Sequence, residues 1–319
     1  DVIEVPSDLA AIRVGGNGRP RASSLRDITF NRVLGQAIAL FGERVIMDGL
    51  NLTNVMPHEA DPTAIRVGGN GHPVDTIDCR SMVMSEVQGQ GLVVHAENTV
   101  FAGLSLTDIF PPDDNPAAIR VGGNGRTDDD SDDSIRVVGP VDLAQSIRMS
   151  DMEMIRVGGN GLVLDGVVVS LDDLVLEDVV PPLEDPFAIR VGGNGRINDG
   201  VDDEGLDEAG QMLAVRINGL QISEGDAFGR GGRGLKVVDA EITEILDAKI
   251  MGGMTIESPG TSVEITDVEI PRSSGHGLEI ISSDPLVDGL QKAAQTIVFL
   301  ESVLIENAEQ GIHLSGSAL

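Results

Sequence analysis

Any chemistry in this chain would have to come from few residues. His276 stands in Ser274-Gly275-His276-Gly277, where glycines on both sides would leave an imidazole accessible as a general acid or base. The plainer reading of the same residues is a histidine on a turn. Asp128, Asp129, Asp130, Asp132 and Asp133 crowd into one short acidic run near 127–133, and a second run spans 198–208. Hard oxygen donors at such spacing suit Ca²⁺, whereas the ordinary fate of a charge run is a solvated loop. Cys79 is the sole cysteine, so it forms no intramolecular disulfide, and no CxxC or Cys/His cluster is spaced for zinc. No resident cofactor is expected, and calcium is the one cation the acids suggest.

Composition narrows the partners. With 52 acids against 22 bases the net charge is −30, which repels nucleic-acid phosphates and anionic lipid. No apolar run approaches the roughly 20 residues a spanning helix needs. Seven phenylalanines, with no tryptophan or tyrosine, leave little for stacking on bases or sugars. Hydrophobic residues still make up 41% of the chain, enough for a real core. Acid excess with only three lysines suits salty or calcium-rich surroundings, because screening relieves self-repulsion. An extracellular or cell-surface location is inferred from this. The chain opens at Asp1, so a processed form or a piece of a longer protein is expected.

The elements that would position these residues are set by repeats. Ile-Arg-Val-Gly-Gly-Asn-Gly begins at Ile12, Ile65, Ile119, Ile155 and Ile189. A looser template, a small residue followed by apolar–any–apolar, recurs twelve times between Ala11 and Gly311, mostly 20–27 residues apart, and includes Ala214-Val215-Arg216-Ile217. Second strand patterns such as Leu104-Ser-Leu-Thr-Asp-Ile109 and Val263-Glu-Ile-Thr-Asp-Val268 lie between. Alternation of period two in short segments means strands with one face inside. Propeller blades need longer units and leucine-rich repeats need a helical half, so the spacing predicts a β-solenoid. Twelve coils at about 4.8 Å would give a rod roughly 55 Å long, a single domain over 1–319, most regular as two-coil units in 11–196.

Within the template, Ile12, Ile65 and Ile119 head one inward column, and Val14, Val67 and Val121 a second. The residue between them faces outward and alternates Arg13, Ala39, Arg66, Val93, Arg120, Val163 and Arg190. Spacing the arginines every second coil keeps like charges from neighbouring positions. They are expected either to pair with loop acids such as Asp61, Asp113, Asp114 and Asp185, or to form a lateral strip that docks an acidic surface, including another copy. In the following turn, Asn17, Asn70, Asn124 and Asn194 could stack as a side-chain amide ladder. The copy at Ile155 falls just before its template strand, so either the phase shifts or the motif is reused at another corner. Calcium-binding nonapeptides need a carboxylate at the sixth position from the first glycine, where this chain has Pro20, Pro73, Thr127, Val163 and Ile197.

Thr296-Ile-Val-Phe-Leu-Glu-Ser-Val-Leu-Ile-Glu-Asn-Ala-Glu-Gln-Gly-Ile-His-Leu314 resembles the generic coil of right-handed parallel β-helix proteins of the pectate-lyase-like group. The resemblance covers most of 11–316 and implies an all-β, right-handed parallel β-helix. It leaves function open, because that coil serves lyases, hydrolases, tailspikes and adhesive fibres. Gly275-His276-Gly277 resembles an element of the β-helical polygalacturonases, and Asn198-Asp-Gly-Val-Asp202 another. The carboxylates and the Arg-Ile-Lys element that should accompany them are missing. The sequence therefore predicts an exported structural or adhesive β-helix, joined to other copies end to end and laterally. Polysaccharide cleavage and passive binding within a larger surface protein, with an acidic surface or polysaccharide as partner, are the alternatives. Neither end carries a capping helix pattern, so either flanking domains are missing or another copy continues the stack.

Overall fold

The computed structural model describes residues 10–15, 20–59, 61–68, 74–113, 115–122, 144–192, 212–223, 233–257, 260–281 and 296–315. Within them every regular element is a strand, and every strand-to-strand pairing is parallel. The strands form two sheets wound along one axis, an all-β parallel solenoid. One sheet holds 11 short strands, from Ile12–Val14 to Ala308–Ser315. The other holds 12 strands, of which Ala22–Arg26 with Thr29–Leu34, and Arg44–Asp48 with Asn51–Met56, are halves of single turns.

Long strands such as Val74–Val87 and Gly166–Val179 turn a corner without breaking their ladders. At the first bend Asp27, Gly49, Ser81, Gly103, Asp151, Asp173, Gly219, Asp247, Asp267 and Ser302 stack with φ between 47° and 70°. Arg32, Asn54, Glu86, Asp108, Arg156 and Asp178 do the same at the second, with φ of 54° to 59°. A left-handed residue swings the chain by a face while its neighbours stay extended. Aspartate, asparagine and glycine tolerate that conformation best, which explains the composition of the first column. Each turn thus has three faces: the short strand and the two halves of the long one.

Register is tight. Ile12, Ile38, Ile65, Leu92, Ile119, Leu162 and Ile189 pair in succession, then Leu235, Met254, Leu278 and Ile312. Val215 is not among them. It pairs with Val169 and Thr243 in the long-strand sheet, and Arg216 goes with it. The twelve template recurrences therefore give eleven rungs in this sheet, about 50 Å of stack at the usual strand spacing. The copy at Ile155 is reused at another corner: Ile155 and Val157 close a long strand and pair with Glu177 and Val179. Val263–Val268 crosses the first bend, whereas Leu104–Ile109 crosses the second, so the two similar patterns occupy different faces.

The core fills the tube between the faces. Met84, Leu106, Met154 and Leu176 from the third face are buried against the short-strand sheet. The small residue opening each template is set by this contact. A Cβ on Gly161 would lie 2.8 Å from Leu176 Cδ2, and one on Gly91 would lie 3.3 Å from Met84 Sδ. Each fully buried aliphatic side chain contributes about 1.5–3 kcal/mol before the entropy of ordering is subtracted.

Candidate functional site

The outward row of the short-strand sheet stacks as the sequence predicts: Arg13, Ala39, Arg66, Val93, Arg120, Val163 and Arg190 are successive neighbours. It continues through Lys236, Thr255, Glu279 and His313. Its first half is not a free docking strip. Ala39 and Val93 are 3% exposed and Val163 is 2% exposed, so the aliphatic gaps are closed. Arg66 donates to Asp61 across 2.6 Å, and Arg190 reaches Asp185 at 3.1 Å, each acid lying five residues before its arginine. Arg13 lies over the Phe41 ring at 5.6 Å.

Arg120 breaks the pairing rule because the residue five before it is Asn115, whose amide instead donates to Gln90 Oε1 at 3.2 Å. Its Nε is closed off from solvent without a partner. Burial lowers its affinity for the proton, while the charge of Asp165 acts the other way. Asp165 itself is fully buried in the turn after the neighbouring rung, and neither of its carboxylate oxygens has a hydrogen-bond partner. Burial pushes this carboxyl up, and Arg190 and Arg120 only partly offset it.

On the opposite edge of the short strands from the expected asparagine ladder, side-chain amides of alternate rungs reach backbone carbonyls of the next rung. Gln36 donates to the Thr63 carbonyl at 3.4 Å, Gln90 to that of Ala117 at 3.3 Å, and Asn160 to that of Phe187 at 2.6 Å. Asn160 belongs to the heptapeptide copy that begins at Ile155, whose Arg156 forms a two-pronged ion pair with Asp108 at 2.6 and 2.8 Å across adjacent turns. That pairing holds the Asp108 carboxyl below its usual range. Asn17, Asn70, Asn124 and Asn194 lie outside the described residues, as do Asp128, Asp129, Asp130, Asp132 and Asp133 and the Asn198–Asp202 segment.

Titratable side chains converge further along the row. His276 Nδ1 is 3.0 Å from Glu279 Oε1, and its Nε2 is 2.7 Å from Gln310 Oε1. The ring stacks on that of His313, centroids 4.5 Å apart and planes 14° from parallel. Glu279 Oε2 accepts from Arg233 at 2.8 Å and from Thr255 at 3.4 Å. Burial alone would raise the Glu279 carboxyl, but Arg233, His276 and Thr255 together hold it below the ordinary range. The residues that His276 meets here are Glu279, Gln310 and His313, none of them a second carboxylate for paired acid–base work. Sequence reasoning had His276 alone. The rest was missed because stacking, not sequence proximity, brings His313 and Arg233 to it.

The last described rung is the other distinctive surface. Ile312 and Leu314 belong to the two inward columns, yet are 49% and 47% exposed. Phe299 and Ile297 on the adjoining face stand at 50% and 70%. At the opposite end Val14, Leu25, Phe30 and Val33 are only partly covered. A shallow groove of about 340 Å³ between Pro57, Pro62, Phe110 and Pro112 carries a single carboxylate, Glu59. No helix among the described residues is long and apolar enough to cross a membrane. Set against models of known families, curated proteins and solved structures, the chain matches none.

Proposed function

We propose that this chain is an exported structural solenoid that assembles with copies of itself, rung upon rung, into a filament or surface fibre. The observation that carries the reading is the half-exposed last described rung. Its Ile312 and Leu314 continue columns that are fully buried at Ile119 and Val121. A strand with unpaired backbone and an apolar inner face is a template for another parallel strand. The partly covered Val14, Leu25 and Val33 at the first rung offer matching column positions. Head-to-tail contact of this kind repeats without closing and makes a fibre. Lateral contact through Arg66 and Arg190 is no part of the proposal, since both are held by their own aspartates.

Sedimentation of the purified chain tests it. Wild-type material should grow in size with concentration, and Leu314→Glu, which puts a charge on the exposed column, should remain monomeric with an unchanged β-sheet spectrum. Equal, concentration-independent sedimentation of both proteins would overturn the reading.

A further inference from the structure

The histidine pair supports a second role, on residues distinct from those that carry assembly. We propose that His276, Glu279 and His313 form a three-donor site for a borderline-soft divalent cation such as Zn²⁺. One donor atom from each residue lies within 4.8 Å of the other two. His276 Nδ1 and Glu279 Oε1 are already 3.0 Å apart, close to the spacing of neighbouring ligands around a metal bound at about 2.0–2.2 Å. The His313 ring, stacked on His276 with centroids 4.5 Å apart, already holds a nitrogen in this set.

The outer contacts fit the same arrangement. Gln310 Oε1 lies 2.7 Å from His276 Nε2, where it can take the Nε2 proton and leave Nδ1 to act as the ligand. In the metal-free chain a proton on Nδ1 pairs it with the carboxylate, and a bound cation would take that proton's place. Arg233 and Thr255 engage Glu279 through Oε2 and leave Oε1 to the shared space. The charge of Arg233 weakens attraction for hard cations held by carboxylate alone, so the two imidazoles set the selectivity. Nitrogen donors favour Zn²⁺ and Co²⁺ over Ca²⁺ and Mg²⁺. Three protein ligands leave one position to water, and the metal would staple the last described rung to the one before it.

Co²⁺ titration of the full chain, made without a histidine tag, tests the site in the visible spectrum. One equivalent should give a d–d band that Zn²⁺ removes and a large excess of Ca²⁺ does not. His276→Ala and His313→Ala should each abolish the band while retaining the circular dichroism of the parent. Gln310→Ala should weaken Zn²⁺ binding about 10–100-fold, as the loss of an orienting contact does. An unchanged band in the two histidine variants, or its displacement by Ca²⁺, would overturn the proposal and assign the binding to the acidic surface.

Discussion

At the residue scale, the molecule rests on aliphatic columns whose members differ in what they contribute by position. Ile119 is fully buried, so Ile119→Ala should cost about 2–5 kcal/mol in a denaturant titration. Ile312 occupies the same column at 49% exposure, and its replacement by alanine should cost less than half as much. Equal losses would mean that the last rung is covered in solution. Asp165 has the opposite character. Its carboxyl is raised by burial, so between the unfolded value near 3.9 and the folded value the native state holds more protons than the unfolded chain. Stability on this account falls as pH rises through that window, by at most about 1.4 kcal/mol per pH unit. Asp165→Asn should remove that fall in denaturant midpoints measured against pH, and an unaltered slope would contradict the assignment. The outward row was legible in the sequence down to Arg190, since strict period-two alternation names the residue between two inward ones. Burial of Val93 and Val163 was not legible, because the pattern tells which way a side chain points and not what lies over it.

At the element scale, corners decide the cross-section. Gly122 has φ of 78°, and a Cβ there would run into the Asp165 carbonyl of the next turn. Gly103 has φ of 67°, but the nearest atom to its would-be Cβ is 3.7 Å away, and aspartate or serine fills the equivalent corner in adjacent turns. Gly122→Ala should therefore destabilise by more than about 1 kcal/mol, while Gly103→Asn should stay within about 0.5 kcal/mol of the parent in thermal unfolding. The reverse order would refute the corner assignment. One misplacement and one open alternative share a physical cause. Ala214–Ile217 reads like a short-strand template and Ile155–Val157 repeats that motif just before one, yet both lie in the long-strand sheet. Alternation looks the same on every face, and only the intervening corners reveal which face a strand occupies. Those corners are single left-handed residues inside the long strands. Most of them are not glycine and none is proline, so the two bends merged into one pattern in the sequence.

At the scale of the whole molecule, a tube with parallel ladders joins residues far apart along the chain into continuous rows. Glu279 and His313 are neighbours in the outward row, His276 lies three residues before Glu279 on the same strand, and Arg233 reaches in from two rungs away. A net charge of −30 opposes end-to-end contact, and salt screens it within about 8 Å at physiological ionic strength. Assembly should therefore strengthen with salt, the reverse of an association driven by opposite charges. Electron micrographs of the purified chain across a salt series test this account most directly. Rods of constant width should lengthen in steps as salt rises, with the strand ladder running on from copy to copy. Single rods of one length, about 50 Å, at every salt concentration would contradict it.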